Sequence, residues 1–192
     1  MAETSYTPRL KALYQTKYAA ELKDELKIDN AMNVPKLDKI IVSSGVGRNK
    51  DNKHYQEVVL NTLTKITGQK PVARHAKKSI ANFKIRKGMG APIGYAVTLR
   101  GDRMWEFMDR FINVALPRVR DFHGVSNKAF DKQGNYNLGI TEQSIFPELT
   151  FEEVTTQHGL EVTFVIKNGS PENSKALLKK FGMPFEKTKE VK

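Results

Sequence analysis

Apolar side chains recur at three- and four-residue steps through Leu10, Leu13, Tyr14, Tyr18, Leu22 and Leu26, which predicts a one-sided amphipathic helix over 7–26. Thr7 is the expected N-cap, with Pro8 in the first helical position. Asn33-Val34-Pro35 breaks the chain, and Leu37 to Val42 reads as a strand that Gly45-Val46-Gly47 ends. A second helix is predicted from Asn52 to Thr67, carrying Tyr55, Val58, Val59, Leu63 and Ile66 and stopped by Gly68. A short extended piece, Pro71 to Arg74, leads into a loop, and strand character returns from Ile93 to Leu99. Asp102 is the expected cap of a third helix, whose Met104, Phe107, Met108, Phe111 and Ile112 share one face until Pro117. Within the Gly-, Asn- and Pro-rich region that follows, only Tyr136 to Ile140 reads as a strand. Leu160 to Phe164 alternates strictly, so one face of that strand is buried and the other wet. Ser170-Pro171 opens a last helix that Gly182 and Pro184 close.

Few strands of alternating polarity, interspersed with helices, fit an α+β fold. The expected architecture is an antiparallel sheet with helices packed on one face and a protruding basic loop. At 192 residues the chain fits one domain, 1–192, with the basic loop at about 74–92. No apolar run exceeds three residues, which excludes a spanning helix, and the N-terminus carries no apolar signal region. The sequence therefore reads as cytoplasmic, with no membrane partner.

Charge changes the picture most. Val58 to Gly101 is 44 residues with nine Lys/Arg and no Asp or Glu, in a chain of net charge +11 and pI near 9.7. Such a segment suits a polyanion, because one nearby carboxylate would repel phosphates. Within it, Arg74-His75-Ala76-Lys77-Lys78-Ser79 is followed by Phe83, Arg86 and Lys87 and by Gly88, Gly90 and Gly94. Cations interleaved with an aromatic suit irregular RNA, whose phosphates take the charge while an unstacked base lies on a ring. With few apolar anchors, this loop is expected to project and to be mobile until bound.

Other chemistry is not indicated. The chain has no Cys, and its four histidines (His54, His75, His123, His158) lack ligand spacing, so neither a metal nor a cofactor is expected. Gly45-Val46-Gly47 lacks the third glycine of a dinucleotide loop, since Lys50 stands there, and reads as a tight turn. Trp105, beside the third helix's apolar stripe, reads as packing. No nucleophile elbow or telling carboxylate pair points to catalysis. An RNA-processing enzyme or tRNA-binding factor using the same loop is the rival reading.

Seven blocks in order resemble the signatures of one family. They are Ile66-Thr67-Gly68-Gln69-Lys70-Pro71, Ala76 to Ala81, Val97-Thr98-Leu99-Arg100-Gly101, Leu116 to Phe122, Gly134 to Ile140, Ile145-Phe146-Pro147-Glu148 and Gly182-Met183-Pro184-Phe185. The chain is similar over about 10–185 to the bacterial large-subunit ribosomal protein L5 family, the 5S-rRNA-binding protein of the central protuberance. That resemblance implies a non-catalytic ribosomal constituent with a concave antiparallel sheet gripping 5S rRNA. It also implies contacts with large-subunit rRNA, neighbouring large-subunit proteins, P-site tRNA and the thirteenth small-subunit protein across the subunit interface. By the same resemblance Lys39, Ser43, Gln69, Phe83, Thr98 and Arg100 fall at 5S rRNA contacts, and Arg74, His75, Lys77, Lys78 and Ser79 on the tRNA-facing loop. Three departures stand out: Ser43 replaces the family's Asn, the run Gly88 to Gly94 is two residues longer, and His123 stands where Arg is usual.

Overall fold

The computed structural model describes residues 6–49, 51–88, 90 and 92–186. Helix α1 covers 9–25 as Arg9–Leu13, a π turn at Tyr14–Tyr18, and Ala19–Glu25. Strand β1 is Lys36–Gly45, helix α2 Lys53–Thr67, strand β2 Val72–Arg74 and strand β3 Gly94–Leu99. Helix α3, Gly101–Arg110, runs on through a π turn at Phe111–Ala115 and a 3-10 turn at Leu116–Arg118 that holds Pro117. Strand β4 is Tyr136–Ile140, helix α4 Phe151–Thr155, strand β5 Leu160–Lys167 and helix α5 Pro171–Lys180. The five strands form an antiparallel sheet in the order β2-β3-β1-β5-β4, so the fold is α+β as expected.

Local chemistry explains most boundaries. Asn52 caps α2 by accepting from the Tyr55 amide at 3.1 Å, and Gly68, at φ 66, closes it with its own amide on Thr64 O. Ser170 caps α5 by accepting from the Asn173 amide, with Pro171 in the first turn. Two starts differ from expectation. Pro8, not Thr7, caps α1: its ψ of 135° is extended while its carbonyl accepts from Ala12 at 3.0 Å. Asp102 lies inside the first turn of α3, and its carboxylate takes the Lys11 ammonium at 2.7 Å instead of capping.

The described residues fall into two compact units, with chain boundaries at Ile40, Leu99, Leu138 and Val162. In the unit of 6–40, 100–138 and 163–186, α1 lies against α3, and Trp105 is buried with its ring 5.5 Å from Phe181 and 5.8 Å from Tyr14. Trp105 thus packs, as its position beside the stripe predicts. Phe111, Phe164 and Tyr136 continue this core, and burial pushes the Tyr136 hydroxyl up to about 12 while it donates to Ser126 O. Arg9 clamps Asp109 with both ends of its guanidinium, at 3.0 and 2.6 Å, and this bond holds the Asp109 carboxyl below its usual range.

In the unit of 41–99 and 139–162, α2 packs on β3 through a stripe of buried Val58, Val59, Leu63 and Ile66. Gly94 is required where β3 meets β1, because a Cβ there would stand 3.0 Å from Ser44 O. Gly45-Val46-Gly47 makes the expected turn, with the Val46 side chain buried and its amide donating to Ile93 O. The connection between β4 and β5 is tied by buried Gln143. Its amide donates to Glu153 O and Thr156 O, and its carbonyl accepts from the His158 backbone.

Candidate nucleic-acid interface

Alternation sets the polar side of the sheet. In β1 the side chains of Ile40, Val42 and Ser44 are buried, while Lys39, Ile41 and Ser43 on the opposite side stay half-exposed. Leu160, Val162, Phe164 and Ile166 of β5 are buried and Glu161, Thr163 and Val165 are not, as the alternation predicts. The polar members of this side bond sideways. Ser43 Oγ donates to the Glu161 carboxylate at 3.4 Å, and Thr163 Oγ1 to Asn137 Oδ1 at 2.7 Å.

Gln69 and Thr98, predicted as contacts 29 residues apart, are brought together: the Gln69 amide donates to Thr98 O at 3.4 Å. Both side chains are half-buried. Thr67 positions the turn before them, its hydroxyl donating to Leu63 O at 2.6 Å and accepting from the Gln69 backbone amide at 3.3 Å. Arg100 is exposed and lies 3.6 Å from Asp38.

The basic segment between β2 and β3 is an extension of their hairpin. β2 pairs with β3 in the register Val72↔Ala96, Ala73↔Tyr95 and Arg74↔Gly94. The Ile93 amide donates to Arg74 O, Gly88 to Ala76 O, and Ile80 and Ile85 exchange amide–carbonyl bonds at 2.9 and 3.1 Å. Ser79 accepts from the Lys87 amide, which assigns it a role within the hairpin. Arg74, His75, Lys77, Lys78, Ser79, Arg86 and Lys87 are exposed. Met89 and Ala91, within the longer run from Gly88 to Gly94, lie outside the described residues. Phe83 is 67% exposed, and it lines a cleft of about 950 Å³ together with Tyr55, Ile85, Ile93 and His158.

Not every cation of the acid-free segment is available for phosphate. Lys65 pairs with Glu153 at 2.8 Å. Partial burial opposes the Glu153 charge, yet the Lys65 ammonium and Thr150 together hold its carboxyl below the ordinary range. Sequence reasoning passed over Asn137, Glu161 and Thr163 as surface residues of the sheet, although the alternation of β5 marks the last two.

Two family models cover this architecture, "Ribosomal protein L5" over residues 30–86 and the C-terminal region of the same ribosomal family over 92–185. The chain is 50% identical over 183 residues to the large ribosomal subunit protein uL5 of Flavobacterium johnsoniae, spanning 95% of this chain and 99% of that protein.

The chain belongs to the ribosomal protein L5 family.

Other uL5 proteins are as similar: that of Alkaliphilus oremlandii is 50% identical over 93% of this chain and 99% of its own length. That of Geotalea uraniireducens is 51% identical over 92% of this chain and 98% of its own. L5 proteins are structural rather than catalytic, so the rival enzyme reading falls. Among the described residues no helix is long and apolar enough to cross a membrane, and no group of three or more His, Cys, Asp or Glu is placed to hold a metal ion.

Proposed function

We propose that this chain, a structural constituent of the large ribosomal subunit, binds 5S rRNA through the polar side of its sheet and helps attach it in the central protuberance. What supports this most is the bond from the half-buried Gln69 amide to the backbone carbonyl of Thr98, itself a half-buried residue, beside a strand that exposes Lys39 and Ser43. Half-buried amides and hydroxyls backed by a packed sheet are held in fixed positions, which suits hydrogen bonding to base edges and 2′-hydroxyls. Phe83 offers a ring for stacking, and Arg100 a charge beside Asp38.

The hairpin from Arg74 to Pro92 projects from the sheet and steadies P-site tRNA through Arg74, His75, Lys77, Lys78 and Ser79. Other surfaces meet large-subunit rRNA, neighbouring proteins and the thirteenth small-subunit protein. The whole chain acts as one 5S-binding domain. A filter-binding titration with purified 5S rRNA at several salt concentrations tests this reading. Gln69→Ala is expected to weaken binding by about 1–3 kcal/mol, the loss of a buried polar contact. Lys39→Ala is expected to reduce the salt slope by roughly one unit. Unchanged binding in both variants removes the sheet from the RNA site.

A further inference from the structure

Beyond the sheet, the cleft under Phe83 has the composition of a receptor for one planar, uncharged group carried on an anionic chain. It is an open space of about 950 Å³. Tyr55, half-buried on α2, forms one wall and stands edge-on to the His158 ring, with centroids 6.5 Å apart at 80°. Phe83 and Ile85 contribute from the hairpin and Ile93 from its return. Among the described residues no carboxylate side chain lines the cleft, whereas Arg48 lines it, and Lys84 and Arg86 flank Ile85. Aromatic and apolar side chains thus share the walls with the neutral polar Asn49, Thr141 and Gln157, while the surrounding charge is positive. His158 is 4% exposed and its Nε2 is buried with no hydrogen-bond partner among the described residues.

Resting on the RNA-binding reading above, we propose that this cleft receives a single unstacked base of bound RNA. The base lies against Tyr55 and Phe83, and its flanking phosphates are held by Arg48 and the hairpin cations. A basic protein segment would be repelled here, and a purely apolar partner would make no use of the cationic rim. Stacking on aromatic rings holds any base, because each has a π-face, so the cleft secures the strand without reading its sequence.

The test uses the full-length chain and a single-stranded RNA pentamer with 2-aminopurine at its centre. Wild-type protein is expected to quench the probe, as is Tyr55→Phe, which keeps the ring. Tyr55→Leu keeps apolar bulk without a ring and is expected to abolish quenching and weaken pentamer binding about tenfold. A pentamer abasic at its centre is expected to bind the wild-type chain about tenfold more weakly than the intact one. Equal affinity for intact and abasic pentamers, or undiminished quenching by Tyr55→Leu, overturns the proposal. Amide shifts at Gly47 and Gly159 of the labelled wild-type chain give a readout that needs no variant, and shifts confined to residues 74–79 also overturn it. A parallel 5S rRNA titration separates the two claims. If wild-type protein holds 5S rRNA while the cleft tests fail, only the cleft is lost; if it does not hold 5S rRNA, both readings go.

Discussion

The hairpin between β2 and β3 and the polar side of the sheet present opposite kinds of surface. The hairpin carries exposed cations, and its far end is tied by the Ile80–Ile85 bridge and by the Lys87 amide on Ser79. The sheet carries mostly half-buried groups with few charges, fixed by bonds such as Gln69 to Thr98 O and backed by fully buried Val42 and Phe164. Charge acts over roughly a Debye length and tolerates imprecise placement, whereas a neutral hydrogen bond is lost within an ångström. The hairpin is therefore suited to capture a polyanion and the sheet to hold one in register.

That contrast can be broken most sharply through stability. Phe164→Ala removes a fully buried ring from behind the sheet and is expected to cost about 3–5 kcal/mol in urea denaturation. Ile80→Ala, at a side chain 44% exposed, is expected to cost under about 1 kcal/mol. Comparable losses would make the hairpin part of the core and erase the distinction.

Replacing Lys77 and Lys78 together with Ala is expected to weaken P-site tRNA binding on purified ribosomes about tenfold and to lower its salt slope by roughly 1.5–2 units. The 5S rRNA content of the same particles should not change. Loss of 5S rRNA with tRNA binding intact would show that the hairpin belongs to the sheet's platform.

A smaller effect comes from His158, which burial holds below the ordinary imidazole range. Its neutral form is favoured in the folded chain, so the unfolded chain binds more protons on acidification. The associated stability is complete above about pH 6.5 and declines as pH falls towards the folded value, at up to about 1.4 kcal/mol per pH unit. His158→Gln should flatten that part of a pH–stability curve measured by denaturant melts. An unchanged slope would assign it to another group.

The smallest expected change is at Ser43. Its hydroxyl is engaged with Glu161 at 3.4 Å, and a longer amide has donors to spare for RNA. Ser43→Asn is expected to leave 5S affinity level or raise it by under about 1 kcal/mol. A clear loss would mean that β1 approaches RNA too closely for the longer side chain.

Periodicity and caps made much of the fold legible. The stripe of α1, the Asn52 and Gly68 ends of α2 and the alternation of β5 all stand as read. What escaped depends on distant partners. Asp102 has the composition of a cap, but Lys11, 91 residues away, claims its carboxylate. Lys65 looks like part of an uninterrupted basic stretch until Glu153 folds beside it. Charge counted along the chain therefore overstates the field a phosphate meets. Helix α4 has only five residues, too few for a hydrophobic period, although Thr150 and Glu153 mark its start with a capping box. The π turns within α1 and α3 have no sequence signal of this kind. At the interface, resemblance supplied Gln69 and Thr98, and only the fold showed them in contact.

One edge of the sheet is β2, three exposed residues ending in Arg74 and continuing into the lysines of the hairpin. An unpaired strand edge is a template on which identical chains stack, and shortness and positive charge are two devices that prevent it. The cations of the adjoining hairpin also keep copies apart, so neutralising them is expected to shorten the life of the free protein as a monomer.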